Sequence, residues 1–314
     1  MSTVDRMRIS DFSKREIKGF LRNSLFLYTG PFVVSIKSSS PLFLDSFYTI
    51  YHNYFFSIEP VFVDYSINLS RSIFFRRFFH PQVDFLLEHN SVFQPLPYKQ
   101  IFPTFEWGVN WAIGNQCNHL LVIHAGVVEK NGVGVMLPGT PGAGKSTLCA
   151  ALMLRGWRLL SDELALIDLN TAECIPLVRP ISLKAQSIEN IRNYSDNAVL
   201  TDAIHDTQKG SVAYLKVSDL SLSKVNDVVK LAHVVFPEFS KEIKSTSNQL
   251  NLVPKTMAFM KVADQSFNFH ILGNTAFHAL TRLLDNCNCY DFSYNGNLDA
   301  AVSRFNDLAN NHSE

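Results

Sequence analysis

A short glycine-rich stretch, Gly139-Thr-Pro-Gly-Ala-Gly-Lys-Ser146, holds the residues whose types and spacing best support chemistry. It satisfies G-x-x-x-x-G-K-[ST], the phosphate-binding loop, at every fixed position. Glycines let successive backbone N–H groups turn toward a triphosphate, and the N-terminus of the following helix adds a positive dipole end. The lysine can reach the outer phosphates, and the serine hydroxyl can ligate Mg²⁺. The stretch therefore predicts binding of ATP and Mg²⁺.

The alternative for this stretch is a glycine- and proline-rich turn that binds nothing. Strand-like, loop-like and helix-like segments follow one another here in the order that the phosphate-binding loop requires, which favours the functional interpretation. The residues expected to contact the nucleotide are Gly139, Thr140, Pro141, Gly142, Ala143, Gly144, Lys145, Ser146 and Thr147.

An acidic pair, Asp162-Glu163, lies inside the second informative stretch, where two apolar arms flank it. A kinase with a phosphate-binding loop needs a carboxylate for Mg²⁺ and a base for the attacking hydroxyl. The pair follows the first strand after the loop helix, so we expect its carboxylates to point at the phosphates. An acidic surface turn is the alternative, and the position directly after the loop and helix favours catalysis.

The elements that must position these residues can be predicted from apolar patterns. Leu120–Ala125 is typical of a buried strand, and Val127–Met136 of a hairpin with Asn131-Gly132 as a type I′ turn. The second arm of the hairpin leads into the loop. Leu148–Arg155 has helical spacing, and Gly156 supplies the left-handed residue expected just past a helix end.

The rest of the chain suggests two domains. Before residue 105, short runs rich in Val, Ile, Phe and Tyr, such as Phe32–Ile36, predict strands. Phe105–Cys117 has helical spacing, and prolines up to Pro103 mark a boundary. We predict a smaller, aromatic-rich α+β domain at residues 1–104 that selects the substrate, and a phosphate-loop domain at residues 105–314.

Composition excludes several classes of partner. The chain has 28 basic and 28 acidic residues, so no basic field suggests nucleic acid. No signal-like start and no bilayer-length apolar run is present, so we expect a cytoplasmic protein that does not bind membrane. Five scattered cysteines are expected to be reduced, buried thiols, because Cys287-x-Cys289 lacks a second Cys or His pair at zinc-site spacing.

Taken together, His124-Ala-Gly126, the hairpin, the loop, Arg155–Leu160 and Asp162-Glu163 resemble the catalytic domain of HPr kinase/phosphorylase. The resemblance implies an α/β fold with the phosphate-loop core of the HPr kinase / phosphoenolpyruvate carboxykinase type, a mixed sheet with flanking helices. Further stretches are similar to the HPr-kinase-related kinase A group: Gly30–Phe32, Phe105–Trp111, Arg179–Lys184, Lys209–Lys216 and Val235–Pro237.

The resemblance also implies roles for single residues. Asp162 would take the proton from a substrate serine, with His124 beside it to orient or tune it. Glu163 and Ser146 would serve the metal, and Lys145 the phosphates. Cations that could stabilise the transferring phosphoryl group are Arg179, Lys184, Lys209 and Lys216.

Departures from that family shape the expected activity. Glu163 stands where the family has a second Asp, and Thr147 replaces a Glu. The glycine- and isoleucine-rich segment linked to the phosphorylase direction has no counterpart, so phosphorylase activity is not expected.

We expect a kinase that transfers the γ-phosphoryl group of ATP to a hydroxyl, a serine of a protein or ribosomal peptide. A nucleotide-binding scaffold with little catalysis and a small-molecule kinase remain alternatives. The resemblance also implies a homo-oligomer.

Overall fold

The chain is a mixed α/β protein. Its computed structural model describes residues 6–71, 80–140, 142–240 and 249–310. Within these ranges the strands form three sheets, and two of the sheets mix parallel and antiparallel neighbours. No helix of the described part is long and apolar enough to cross a membrane. All five cysteines are buried and free, as expected from their scatter.

The first sheet is formed by residues before 100. Its strand order is β1-β4-β2-β3-β5-β6-β7, with β8 beside β6, and only β3 and β5 run parallel among the paired strands described. Burial alternates along β5, as expected for a strand with one face on the core. The elements are β1 (Met7–Arg8), α1 (Lys14–Asn23), β2 (Leu25–Tyr28), β3 (Val33–Ser38), α2 (Pro41–Ile50), β4 (Phe55–Ser57), β5 (Tyr65–Arg71), β6 (Gln82–Leu87), β7 (Asn90–Ser91) and β8 (Leu96–Pro97).

A long helix, α3 (Ile101–Gln116), joins this sheet to the rest of the chain. It begins four residues before the predicted helix, because Pro103 lies in the first turn, where no backbone N–H is needed. Phe102 contacts both Phe43 and Tyr214, with ring centroids 6.0 and 5.1 Å away. One cluster of buried apolar side chains therefore spans both predicted domains. That the two halves fold separately stays a prediction.

The second sheet contains the predicted hairpin and the strand that leads into the predicted loop. Its order is β13-β12-β9-β10-β17-β19-β18, with β11 also paired to β9, and β10, β17 and β19 run parallel. The predicted hairpin is confirmed, because Asn131 and Gly132 both have positive φ between β9 and β10. The strands are β9 (Leu120–Lys130), β10 (Val133–Pro138), β11 (Arg158–Ser161), β12 (Leu164–Asp168), β13 (Cys174–Ile175), β17 (Leu231–Phe239), β18 (Gln249–Leu252) and β19 (Asn288–Tyr294).

A small antiparallel sheet and seven further helices complete the described part. The sheet has the order β14-β16-β15. The strands are β14 (Ile181–Lys184), β15 (Ile204–Thr207) and β16 (Gly210–Leu215), and the helices are α4 (Lys145–Leu154), α5 (Gln186–Tyr194), α6 (Asp219–Ser223), α7 (Lys255–Asp264), α8 (Phe269–Leu272), α9 (Asn274–Asp285) and α10 (Leu298–Asn310). Gly156 has φ +89° after α4, as predicted.

The centre of β9 brings the loop and the acidic pair together. On one side, Leu137 at the end of β10 pairs with Gly126. On the other side, β11 and β12 both pair with β9, and the acidic pair interrupts them next to the same point. A β-carbon on Gly126 would lie 2.5 Å from the Cys149 sulfur and 3.5 Å from a Lys145 side-chain carbon, so only glycine allows α4 this close to the sheet.

Gly126→Ala should therefore destabilise the protein by about 1–3 kcal/mol, because the added methyl group overpacks the contact with α4. The matched control is Gly19→Ala in α1, where nothing lies within 4 Å of the added methyl group. That variant should gain roughly 0.5–1 kcal/mol from helix propensity. Denaturant unfolding measures both, and equal effects of the two substitutions would contradict the close approach at Gly126.

Candidate active site

The predicted phosphate-binding loop joins the end of β10 to the start of α4. Gly142 and Gly144 have φ +94° and +84°, values that favour glycine. The Tyr294 hydroxyl donates a hydrogen bond to the Gly144 carbonyl at 2.9 Å, and a β-carbon on Gly144 would collide with that hydroxyl. Pro141 lies outside the described residues. The loop thus has the strand–loop–helix setting expected for phosphate binding.

Lys145 is a buried cation at the first position of α4. The residue is 6% exposed, and among the described residues its Nζ has no hydrogen-bond partner. Burial lowers the pKa of Lys145, while the carboxylates of Asp162 and Glu163 act in the opposite direction. A desolvated ammonium with no donor satisfied is a strong anchor for an anionic ligand, because binding would supply the missing acceptors.

Asp162 is the more buried member of the acidic pair. It is 4% exposed, its Oδ2 accepts the Ser182 N–H at 3.2 Å, and its Oδ1 has no hydrogen-bond partner in the part of the chain that the structure describes. Burial raises the pKa of Asp162 to about 6, which Lys145 and the neighbouring Ser146 hydroxyl partly oppose. Asp162 and Glu163 both line a cavity of about 20 Å³, and Glu163 also lines a second, larger pocket.

Glu163 is half-buried and lines the main pocket. Asn110 on α3 donates a hydrogen bond from its amide to Oε2 of Glu163. Burial acts to raise the pKa of Glu163, but nearby cations, first Lys209 and then Lys145 and Lys184, outweigh it and lower that pKa. The carboxylate is therefore ionised and faces the space in front of the loop.

His124 faces the same pocket from β9. Its ring packs edge-on against Phe267, with the centroids 6.2 Å apart, and its backbone N–H donates to the Gln265 carbonyl at 2.7 Å. Burial, followed by the charge of Lys145, lowers the pKa of His124 to about 4. The imidazole is thus neutral at neutral pH.

Most of the predicted site residues line one pocket of about 610 Å³. The described loop residues Thr140, Gly142 and Gly144 line it on one side, followed by Lys145, Ser146 and Thr147 of α4. Glu163 and His124 face them, together with two of the four predicted cations, Lys184 and Lys209. Phe239, Tyr294 and Leu298 form an aromatic and apolar wall. A volume of this size suits a small-molecule ligand.

The other two predicted cations lie elsewhere. Arg179 is buried and pairs with Glu106 at 2.6 Å. It lines the same 20 Å³ cavity as the acidic pair. Lys216 lies near His52, whose pKa is lowered by burial and by that lysine. Neither residue is among the described residues that line the 610 Å³ pocket, so we do not propose a phosphate role for them.

Sequence reasoning missed several residues of the site. Asn110, Ser182 and Tyr294 contact the acidic pair or the loop from α3, β14 and β19. Ser187 on α5 accepts a hydrogen bond from the Thr147 hydroxyl at 2.8 Å. Only Asn110 and Ser182 lie in stretches that resemble the HPr-kinase-related kinase A group. The resemblance implied no role for either residue. Their contacts arise between segments far apart in the chain.

No protein-family model and no curated protein matches this chain. The solved structures that match include the Hpr(Ser) kinase/phosphatase from Coxiella burnetii, with a TM-score of 0.31 and 12% sequence identity. The match covers 62% of this chain and 99% of that chain. At this TM-score and identity, the likeness assigns neither a family nor an activity.

The raised pKa of Asp162 gives a prediction for stability against pH. Between the ordinary value of 3.8 and about 6, the folded protein holds a proton that the unfolded chain has lost, so stability falls as pH rises. Asp162→Asn removes this loss. Its free energy of unfolding, relative to wild type, should grow by on the order of 3 kcal/mol between about pH 4 and pH 7.

Asp168→Asn is the control with the opposite sign. Backbone N–H groups of Thr171 and Asn170 lower the pKa of Asp168, so its stabilisation is present above 3.8 and is lost as pH falls. This variant should be less stable than wild type at neutral pH and approach it in acid. Urea unfolding across the pH range measures both, and a pH-independent difference for Asp162→Asn would contradict its raised pKa.

Proposed function

We propose that the chain is an ATP-dependent kinase that transfers the γ-phosphoryl group to a hydroxyl. The observation that carries this proposal is the 610 Å³ pocket, where the phosphate-binding loop and Lys145 face the ionised Glu163 and the neutral His124. Phosphoryl transfer requires positioning and charge stabilisation more than covalent chemistry by the protein. In this pocket the loop and Lys145 lie on one side, where they could hold the phosphates. The Glu163 carboxylate lies on the other side, where it could receive a proton.

Several features support binding of a triphosphate. The N-terminus of α4 follows the loop, and the first residues of α5, Gln186 and Ser187, also line the pocket. Helix N-termini present free N–H groups and a positive dipole end to anions. Lys184 and Lys209 add charge on the side of the pocket where Glu163 lies. In the proposed complex these cations stabilise charge on the transferring phosphoryl group.

The residues present also fit Mg²⁺. Among the described residues no three His, Cys, Asp or Glu side chains form a metal cage. Mg²⁺ usually binds through one or two carboxylates, waters and substrate phosphates, so such a cage is not needed. The unpartnered Oδ1 of Asp162 and the adjacent Ser146 are the groups that would hold the ion. Bound there, Mg²⁺ would neutralise charge on the phosphates.

We assign the base to Glu163, the reverse of the roles implied by the sequence resemblance. A base must first reach the proton that it removes, and only then does its pKa decide its efficiency. Glu163 lines the pocket, whereas Asp162 is not among the described residues that line it. Asp162 lies beside Ser146, like the aspartate that holds Mg²⁺ in other phosphate-loop enzymes. His124 lines the same pocket as Glu163 and is neutral, so it adds no positive charge beside that carboxylate.

In the proposed reaction Glu163 accepts the proton of the acceptor hydroxyl. The hydroxyl oxygen forms a bond to the γ-phosphorus as the bond to the β,γ-bridging oxygen breaks, and ADP leaves. Lys145 and the loop N–H groups hold the phosphates throughout. The motif resemblance favours a serine of a protein or ribosomal peptide as the acceptor.

Three variants test this proposal by ATP-induced thermal stabilisation and by ADP release. Lys145→Met should abolish the stabilisation, which would be about 2.7 kcal/mol at an ATP concentration 100 times the dissociation constant. Glu163→Gln should keep ATP binding but lose about 10²–10⁴-fold in turnover, because no base remains. Asp162→Asn should raise the Mg²⁺ concentration needed for binding. Lys216→Met, a lysine outside the pocket, is the matched control.

Two outcomes would contradict parts of this proposal. Loss of turnover in Asp162→Asn, with full turnover in Glu163→Gln, would return the base role to Asp162. ATP binding by wild type that requires Lys145, without ADP release in the presence of any serine-bearing acceptor, would leave a nucleotide-binding scaffold instead of a kinase.

A further inference from the structure

A chain of hydrogen-bonded side chains runs from the first sheet's side of the molecule to the pocket. The Tyr51 hydroxyl, just after α2, donates to Oε1 of Glu106 at 2.7 Å. Arg179 donates to Oε2 of Glu106 at 2.6 Å and to Oδ1 of Asn110 at 2.5 Å. Asn110 then donates to Glu163. Each link joins segments that are distant in sequence.

Two inner residues of this series of hydrogen bonds are buried and charged. Glu106 and Arg179 are 3% and 6% exposed, and the guanidinium also donates to the Glu106 backbone carbonyl at 3.2 Å. Removing one partner of a buried, hydrogen-bonded ion pair leaves an uncompensated charge, which is strongly unfavourable. The pair is therefore a rigid anchor for any group that it holds. That group is Asn110.

The guanidinium decides which way the Asn110 amide points. Arginine has N–H donors and no acceptor, so it can contact only the amide oxygen. With the oxygen on Arg179, the NH₂ group is turned toward the opposite side, where Oε2 of Glu163 accepts from it. Without Arg179, the Asn110 amide group could rotate by half a turn. Its oxygen would then face the Glu163 carboxylate, and the two groups would repel each other.

We propose that Asn110 is a positioning residue for Glu163, with its amide oriented by Arg179 and anchored through Glu106. The amide holds the carboxylate by one oxygen, Oε2, and so keeps it at the wall of the pocket opposite the loop. This inference rests on the proposed function for its catalytic meaning, since Glu163 is the proposed base. The contact itself is independent of that function.

The contact is tested in the ligand-free protein by a double-mutant cycle. Asn110→Asp keeps the shape and still accepts from Arg179, but it faces Glu163 with a second carboxylate and should lower the urea midpoint of unfolding. Adding Glu163→Gln restores a donor, because the new amide can donate to the new carboxylate. The double variant should therefore recover most of the lost midpoint.

The matched control is Arg158→Lys, in a second buried pair of the chain, Arg158 with Glu129 at 3.6 Å. It should also lower the midpoint, but Glu163→Gln should not restore it, since the two sites share no partner. An equal loss for Asn110→Asp in the wild-type and Glu163→Gln backgrounds would overturn the proposed contact.

The positioning role is tested by ADP release with Mg²⁺-ATP and water as the acceptor. Asn110→Leu should lower turnover by about 100-fold without weakening ATP binding, because a base displaced by about 1 Å loses that much. In the Glu163→Gln background it should cause no further loss. Arg158→Lys should not change the turnover of the folded enzyme.

The outcomes separate the two proposals. Wild-type turnover in Asn110→Leu, with turnover lost in Glu163→Gln, would overturn the positioning role and leave the kinase proposal intact. Failure of wild type to bind ATP would remove the kinase proposal. The unfolding cycle would then still decide whether Asn110 holds Glu163.

Discussion

The contact between α4 and the centre of β9 is the constraint on which the rest of the site depends. Gly126 has no β-carbon, so the first turn of the helix lies directly on the strand, with Cys149 and Lys145 against it. The end of β10 and the break between β11 and β12 flank the same point of β9. The loop and the acidic pair are therefore neighbours because both are tied to one strand.

This close approach has an electrostatic consequence. Lys145 and Asp162 are both buried, and among the described residues each keeps a polar atom without a hydrogen-bond partner. Burial shifts their pKa values in opposite directions, down for the lysine and up for the aspartate. The ligand-free protein thus holds polar groups that are unsatisfied until suitable partners arrive. Such groups are common at functional sites and rare elsewhere in a core.

The first sheet contributes to the site through packing, and a series of hydrogen bonds links Tyr51 to Glu163. Its aromatic residues share one buried cluster with residues of α3 and of the second sheet. Along α3, Glu106 and Asn110 are one helical turn apart, so both face Arg179 on the same side. The ion pair costs desolvation energy, which specific geometry must offset. In the proposed function that geometry fixes the position of Glu163.

Local patterns were enough to predict the strand–loop–helix order around Lys145, the hairpin with its Asn131-Gly132 turn and the left-handed Gly156, because each depends on residues adjacent in the chain. That the loop binds phosphate stays a prediction. The predicted start of α3 at Phe105 is wrong, because the helix begins at Ile101 and Pro103 is compatible with its first turn. The sequence alone also determined that Lys145 and the acidic pair follow one another closely. Only the tertiary structure decided which acid lines the pocket and that Arg179 donates a hydrogen bond to Asn110. It also decided that Lys216 is not among the described residues that line the pocket. Those outcomes depend on burial and on contacts between distant segments, which no local spacing encodes.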